Sequence, residues 1–499
     1  MKIRIAAIIL ALVMLAGVLV SCTTGGGTGN DTSGGGNNTT TDAGNVTTTV
    51  TDAVTDYMEN VTAYKGKTIN VLYWSDANNN EFDITKETGV PIDDAIFRRD
   101  SVVTERLGVE IDWDGQAGNK AKLKAFKEYF EAHRNEGIQI VAGHSMVVGA
   151  LAAAGYLYDL NNTRYLDFTN EWWPKNLIDN CTIMDSVYFC SGDISINTLL
   201  GMQGMFFNKD LTEDGGKKYY RLVKDKKWTI DAFIAETENK YENADSDAAK
   251  SLGDKFGFIS YSGMINPLFA GMGMSIIEND GAKGLKLSSK YATEKNEKLL
   301  ERVNGLFFSG NDWYYANKSF ADSSAVFKAG RSLFYMASVR LTINTLNDKE
   351  STMTYGILPA PLYAEGDDYR TLLANTYTLY AVNSLVDSDV ADMCSAYLEL
   401  LAYESSKTVT PAVFNRTLKG QYSDKQDDST MFDILRASTV MEIGLIFSDQ
   451  IDGGMPSKTL FTFVGNQSSA LRTYISDRSN LIDQGLLDLN NMFAKNKKQ

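Results

Sequence analysis

IQIVAGHSMVVGALAAAGYLYDLNN, residues 138–162, runs on through EWWPKNLIDN (171–180), CTIMDSVYFCSGDIS (181–195) and GMFFNKD (204–210). Ile138–Ala142 is a short apolar run ended by Gly143, the mark of a buried strand. Met146–Ala154 is a helix of small apolar residues, closed by Gly155. A hairpin follows and leads through Gly192-Asp193 into a further strand. Strand, polar loop, helix and return make one α/β unit. Its loop, Gly143-His144-Ser145, stands at the carboxyl end of the strand, where open α/β sheets place their ligands.

The flanking sequence repeats that alternation. Thr68–Trp74 is a strand, Asp94–Leu107 an amphipathic helix stopped by Gly108, Val109–Trp113 a second strand and Lys120–Arg134 a charged helix. Strands alternating with helices indicate parallel βαβ units and a doubly wound sheet. No GxGxxG follows the first strand and no P-loop is present, so a dinucleotide or nucleotide site is not indicated. Past Asn208, the sequence predicts helices over Trp228–Tyr241 (Thr229 as N-cap), Asn266–Gly273, Leu299–Phe308, Ser319–Lys328 and Asp389–Tyr403. It predicts strands over Gly257–Ser260, Leu333–Ala337, Thr354–Leu358 and Thr371–Val382, then a mainly helical remainder to about Phe493.

With 499 residues the chain has room for two or three large cores. Its formal charge of -15 supplies no basic face for nucleic acid. Lys2 and Arg4 precede an apolar run, Ile5–Val20, as in a secretion signal. Leu19-Val20-Ser21-Cys22 looks like a bacterial lipobox, which implies cleavage before Cys22 and lipid on its sulfur. Residues 22–64 are low-complexity Gly, Thr, Asn, Asp and Ser, unable to bury enough apolar surface to fold, and read as a disordered tether.

Of the other cysteines, Cys394 falls on the apolar face of a helix and reads as buried filler. If Asp185-Ser186 is a two-residue turn, Cys181 and Cys190 face each other at a non-hydrogen-bonded position. A disulfide is then expected, worth about 2–3 kcal/mol for so small a loop; two reduced thiols are the alternative.

The body, about Lys65–Phe493, resembles the bacterial extracellular solute-binding proteins of ABC importers, in the group that includes carbohydrate and maltodextrin binders. The resemblance rests on the order and spacing of TINVLYWSD, IDDAIFRRDSVVTERLGVEIDW, the 138–162 stretch, VYFCSGDIS, GMFFNKD, FKAGRSLFYMASV, TYGILPAP and TLLANTYTLYAVN. It implies an α/β, periplasmic-binding-protein-like fold: two doubly wound lobes, a hinge and an interlobe cleft. Lobe one is expected at 65–200 plus 370–405 and lobe two at 201–369 plus 406–499, after a signal peptide at 1–21.

It also implies where ligand is met. Trp74 and Asp76 end the first strand at the cleft edge; Trp74 reads equally as core, and Asp76 as a cap on the next element. His144 and Ser145 occupy a loop where family members contact ligand, against a merely solvated histidine. Asp193 stands at the first crossing between lobes, binding a hydroxyl or satisfying hinge backbone. Arg340 stands where a maltodextrin binder carries an aromatic-bearing loop, and Ser338-Val339-Arg340 departs from that pattern. Asn375 and Tyr377 share one face of the returning crossing. Trp313, with Tyr314 and Tyr315, suits stacking on a sugar or the packed start of a helix. With only His133 and His144 in the chain and no neighbouring His or Cys pair, zinc is not expected.

The function so implied is a monomeric, lipid-anchored protein at the extracytoplasmic face of the cell membrane. It would capture a sugar or oligosaccharide, deliver it to ABC permease subunits, need no cofactor and bind no nucleic acid. A binder of peptides or polyamines, or an exported glycoside hydrolase with paired carboxylates, are the alternatives. No G-x-S-x-G or HExxH motif speaks for an enzyme.

Overall fold

The computed structural model describes Met58 and residues 61–244, 246, 249–310, 312–316, 319–346, 353–418, 425–451 and 455–497. The signal peptide, Cys22 and most of the tether lie outside them. The described strands are β1 Thr68–Trp74, β2 Glu110–Gln116, β3 Ile140–His144, β4 Thr182–Ile183, β5 Ser186–Val187, β6 Gln203–Asn208, β7 Phe256–Ser260, β8 Ile277–Asn279, β9 Leu285–Leu287, β10 Trp313–Tyr315, β11 Ser332–Ser338, β12 Tyr355–Leu358, β13 Thr371–Leu372, β14 Thr378–Val382 and β15 Thr439–Val440.

Two sheets carry the fold. One has the order β14-β3-β1-β2, the other β10-β7-β11-β6-β12. In the first, β1 is parallel to β2 and β3, and β14 closes the edge antiparallel to β3. The alternation of strand and helix foretold this parallel pairing. β3 is buried at every position, as a central strand covered on both faces must be. The helix Pro91–Leu107 starts on a proline and stops at Gly108, whose φ of 65° only glycine takes without strain. In the second sheet Phe206, Phe207, Phe258, Phe334 and Trp313 are all buried, so that strands and helices share one apolar core.

Three chain segments run side by side between the sheets. Met202 bridges antiparallel to Leu373, and β13 pairs in parallel with β15. This junction explains one correction. The stretch Thr371–Val382, expected as one strand, is broken into β13 and β14 because its two halves pair in different places, β13 with β15 and β14 with β3. Between them the chain turns, with Ala374 N–H bonded to Gly201 O and Ser145 N–H to Tyr377 O. A second correction concerns Trp313–Tyr315, which is the edge strand β10, parallel to β7, in place of a helix start.

The hairpin is corrected too. Its turn is Met184-Asp185, both at positive φ (52° and 65°), the backbone of a tight two-residue hairpin turn. Thr182 therefore pairs with Val187 and Ile183 with Ser186, the turn one residue early and the pairing two residues out of the expected register. Cys181 ends the helix Lys175–Cys181, and Cys190 bridges instead to Tyr380. Both thiols are buried and unbridged, so the expected disulfide is absent.

Candidate functional site

The carboxyl ends of β1 and β3 bring Trp74, Asp76, His144 and Ser145 together, but in roles that leave few of them free for a ligand. Trp74 is 1% exposed. Its Nε1 donates to Thr378 Oγ1 at 3.0 Å, and its ring meets the His144 ring edge-on at 5.4 Å. His144, expected at a cleft surface, is 2% exposed. Its Nδ1 accepts the N–H of Met146 at 3.2 Å, capping the helix Ser145–Ala153. The imidazole is thus neutral, and burial lowers its pKa to about 4. Asp76 Oδ1 accepts the N–H groups of Gly118 and Asn119 at 2.7 and 2.9 Å, so it caps a turn while staying half-exposed.

Ser145 unites the next pair. Its Oγ lies 3.1 Å from Asn375 Oδ1 and 3.3 Å from Asn375 O, and it bonds the Tyr377 side chain as well. Tyr377 is buried and Asn375 half-exposed. Asp193 is not gathered with His144 in one cleft as its place in the sequence suggested. It is buried and forms a two-pronged ion pair with Arg436, at 2.9 and 2.6 Å. Trp313 is also withdrawn from any sugar. Its ring packs edge-on against Phe233, Phe258 and Phe307, and its Nε1 donates to Thr237 Oγ1 at 2.9 Å.

Arg340 follows β11 of the second sheet yet bonds residues flanking the first. Its Nε donates to Asn79 Oδ1 at 2.9 Å, and its terminal nitrogens reach Asn197 Oδ1 (3.3 Å) and Thr376 (3.4 and 3.5 Å). Beside it lies Glu81, fully buried, which accepts from Ser195 Oγ, Asn197 N and Thr378 Oγ1. Burial lowers the Arg340 pKa to about 10, against the attraction of Glu81, so the guanidinium is charged at neutral pH. Burial conversely pushes the Glu81 carboxyl up. This cluster holds the junction of the two sheets in one arrangement.

Sequence reasoning missed Glu81, Asn79 and Asn197; the one signal was an acid placed among asparagines ahead of a phenylalanine. It also missed Tyr261 and Phe320. Tyr261 follows β7, Phe320 opens the helix after β10, and their rings meet edge-on at 5.4 Å. Phe320 is 42% exposed and Tyr261 half-buried, which leaves an aromatic surface at the carboxyl ends of parallel strands. Among the described residues, no group of three or more His, Cys, Asp or Glu side chains is placed to hold a metal ion.

No protein-family model matches the chain, and no curated protein matches it. Solved structures do. An ABC substrate-binding protein from Listeria monocytogenes, in complex with cycloalternan, is similar with a TM-score of 0.52 at 14% identity, over 84% of this chain and 98% of its own. M. tuberculosis UspC gives 0.52 at 12% identity, over 85% and 100%. The cyclic alpha-maltosyl-1,6-maltose binding protein from Arthrobacter globiformis gives 0.50 at 13% identity, over 85% and 98%.

Proposed function

The chain has the periplasmic-binding-protein-like fold of the ABC substrate-binding proteins, and from that premise we propose that it captures a sugar or oligosaccharide for an ABC importer. The observation that carries the reading is the end-to-end match of a two-sheet body to substrate-binding proteins, one of them in complex with cycloalternan. The lobes we assign are 65–200 plus 370–405 and 201–369 plus 406–499. The ligand would lie between their strand ends, with the Tyr261–Phe320 rings against sugar faces and Asp76 and Asn375 toward hydroxyls. A ligand touching both lobes favours the closed form, which the permease would then engage. The lipobox at Cys22 supports a lipid anchor at the extracytoplasmic face of the membrane, with the chain monomeric and not an enzyme.

A thermal-shift screen over mono- and oligosaccharides tests this. Stabilisation by a sugar, without release of reducing ends and weakened in Tyr261→Ala, is the expected result. Release of reducing ends, or a response confined to peptides or polyamines, would overturn it. Cys22→Ser should move the protein from the membrane to the medium.

A further inference from the structure

A cavity of about 990 Å³ opens on the flank of the junction, away from the strand ends just described. The helix Lys175–Cys181 forms one wall, and residues 271–274 and 289–296 the other. Its floor is residues 367–370 with Val440 of β15. Its size is at the upper end of the roughly 300–1,000 Å³ of pockets that take small organic ligands.

The charges lining it are unequally spoken for. Asp179 is paired with Lys175 at 2.6 Å and Asp368 with Lys226 at 2.7 Å. Asp367 accepts the N–H of Ala364 at 3.1 Å and is the acid that faces Lys295. Glu442, whose charge acts on Arg370, has its oxygens engaged by the N–H groups of Ile276, Ile277 and Gly444 at 2.9, 3.0 and 3.2 Å. On the basic side, Arg370 Nε is buried with no hydrogen-bond partner among the described residues. Lys295 Nζ rests over the Tyr363 ring at 3.6 Å and donates to Met272 O at 3.5 Å. Burial lowers the Lys295 pKa, Asp367 opposes that, and the like charge of Lys290 adds to it. Three cations thus border a space in which Asp367 is directed at Lys295 and Glu442, its oxygens already engaged by backbone N–H groups, at Arg370, in a chain whose net charge is -15. An anion in that space would relieve the repulsion between Lys290 and Lys295 and accept from Arg370 Nε.

We propose that this cavity is a second binding site, for a small anionic sugar: a hydroxyl-bearing body carrying a carboxylate or a phosphate, its charge met by Lys290, Lys295 and Arg370. Asn176 and Asn180 on the opposite wall supply amides for hydroxyls. A ligand here touches the helix Lys175–Cys181, the loops of the other wall and β15 together, so its binding is coupled to how the crossing segments sit.

Isothermal titration of the full chain with glucuronic acid, glucose 6-phosphate, glucose and inorganic phosphate, in 0.15 M salt, tests the site. One or both sugar anions should bind, at least about tenfold tighter than glucose and than phosphate alone; which of the two binds identifies the acid group. Lys290→Glu and Lys295→Glu, single changes at the cavity wall, should each weaken that binding about tenfold or more, and Lys290→Glu should do so without altering the melting temperature of the unliganded protein. Tyr261→Ala should leave it unchanged, so that failure of the cleft reading and failure of this one are told apart. Equal binding of glucose and its anions, equal binding of phosphate, or retention of affinity within twofold in both lysine variants would overturn the proposal.

Discussion

Replacing Glu399 by glutamine should tilt the pH profile of stability one way, and replacing His144 by asparagine the other. Glu399 is buried, with Asn170 Nδ2 and Trp172 Nε1 on one oxygen (2.9 and 3.0 Å) and Trp173 Nε1 and Asp167 N on the other (2.8 and 3.3 Å). Burial outweighs these four bonds and raises its pKa from 4.5 to about 7. The folded state therefore holds a proton that the unfolded state releases, and the stability so gained is full below pH 4.5 and lost as the pH rises to 7. For His144 the pKa falls from 6.5 to about 4, by burial first and Lys120 second. Its contribution is present above pH 6.5 and lost as the pH falls toward 4. Each displacement of about 2.5 pH units corresponds to about 3 kcal/mol. Between pH 4.5 and 6.5 the two oppose each other, so the parent protein hides both. Relative to it, Glu399→Gln should gain stability with rising pH and His144→Asn should lose it; asparagine keeps a helix-capping oxygen. Urea midpoints of the three proteins from pH 4.5 to 7.5 measure this. Two variants tilting in the same direction, or by less than about 1 kcal/mol each, would refute the assignment of these ionisations.

Arg340→Met keeps the side-chain volume, loses the 2.9 Å bond to Asn79 and leaves Glu81 without its neighbouring cation. A loss of about 2–4 kcal/mol is expected, because Asn79, Asn197 and Thr376 lose a charged donor at a buried junction; urea unfolding showing under about 1 kcal/mol would refute it. Cys181, Cys190 and Cys394 are all buried and free, so a thiol reagent should find none of them in the native protein and three in denaturant. A count of one in denaturant would mean that Cys181 and Cys190 are bridged.

The fold was largely legible because it is written in short-range chemistry. β1 stands at the predicted Thr68–Trp74, Gly108 stops its helix, and Thr229 caps the helix Ile230–Thr237 through Ala232 N–H. Where the reading failed, a distant partner decided. Thr371–Val382 alternates like one strand, yet β15 draws one half and β3 the other. Met184, a residue with little liking for positive φ, takes the hairpin turn one position early and carries Cys190 out of register with Cys181. The aromatic triplet at Trp313 carries no mark distinguishing a stacking platform from an edge strand; only its burial against Phe233 and Phe258 does.

The site was harder for a related reason. Residues at the ends of parallel strands are well placed for a ligand and equally well placed to hold the junction between two sheets. Sequence position alone does not separate these uses. Hydrogen-bond accounting does: Trp74 donates to Thr378, Ser145 bonds Asn375, Asp193 grips Arg436, and Arg340 spans to Asn79 and Asn197. A side chain whose donors and acceptors are already filled, within its own sheet for Trp74 and Ser145 or across the junction for Asp193 and Arg340, has little left for a further partner, and freeing it exposes a buried charge or amide. In the function proposed above, recognition would fall to groups with capacity and surface to spare, the half-exposed Asp76 and Asn375 on one side and the Tyr261–Phe320 rings on the other. Arg340 ties the two sheets together, while the aromatic surface stands at the ends of β7 and β10.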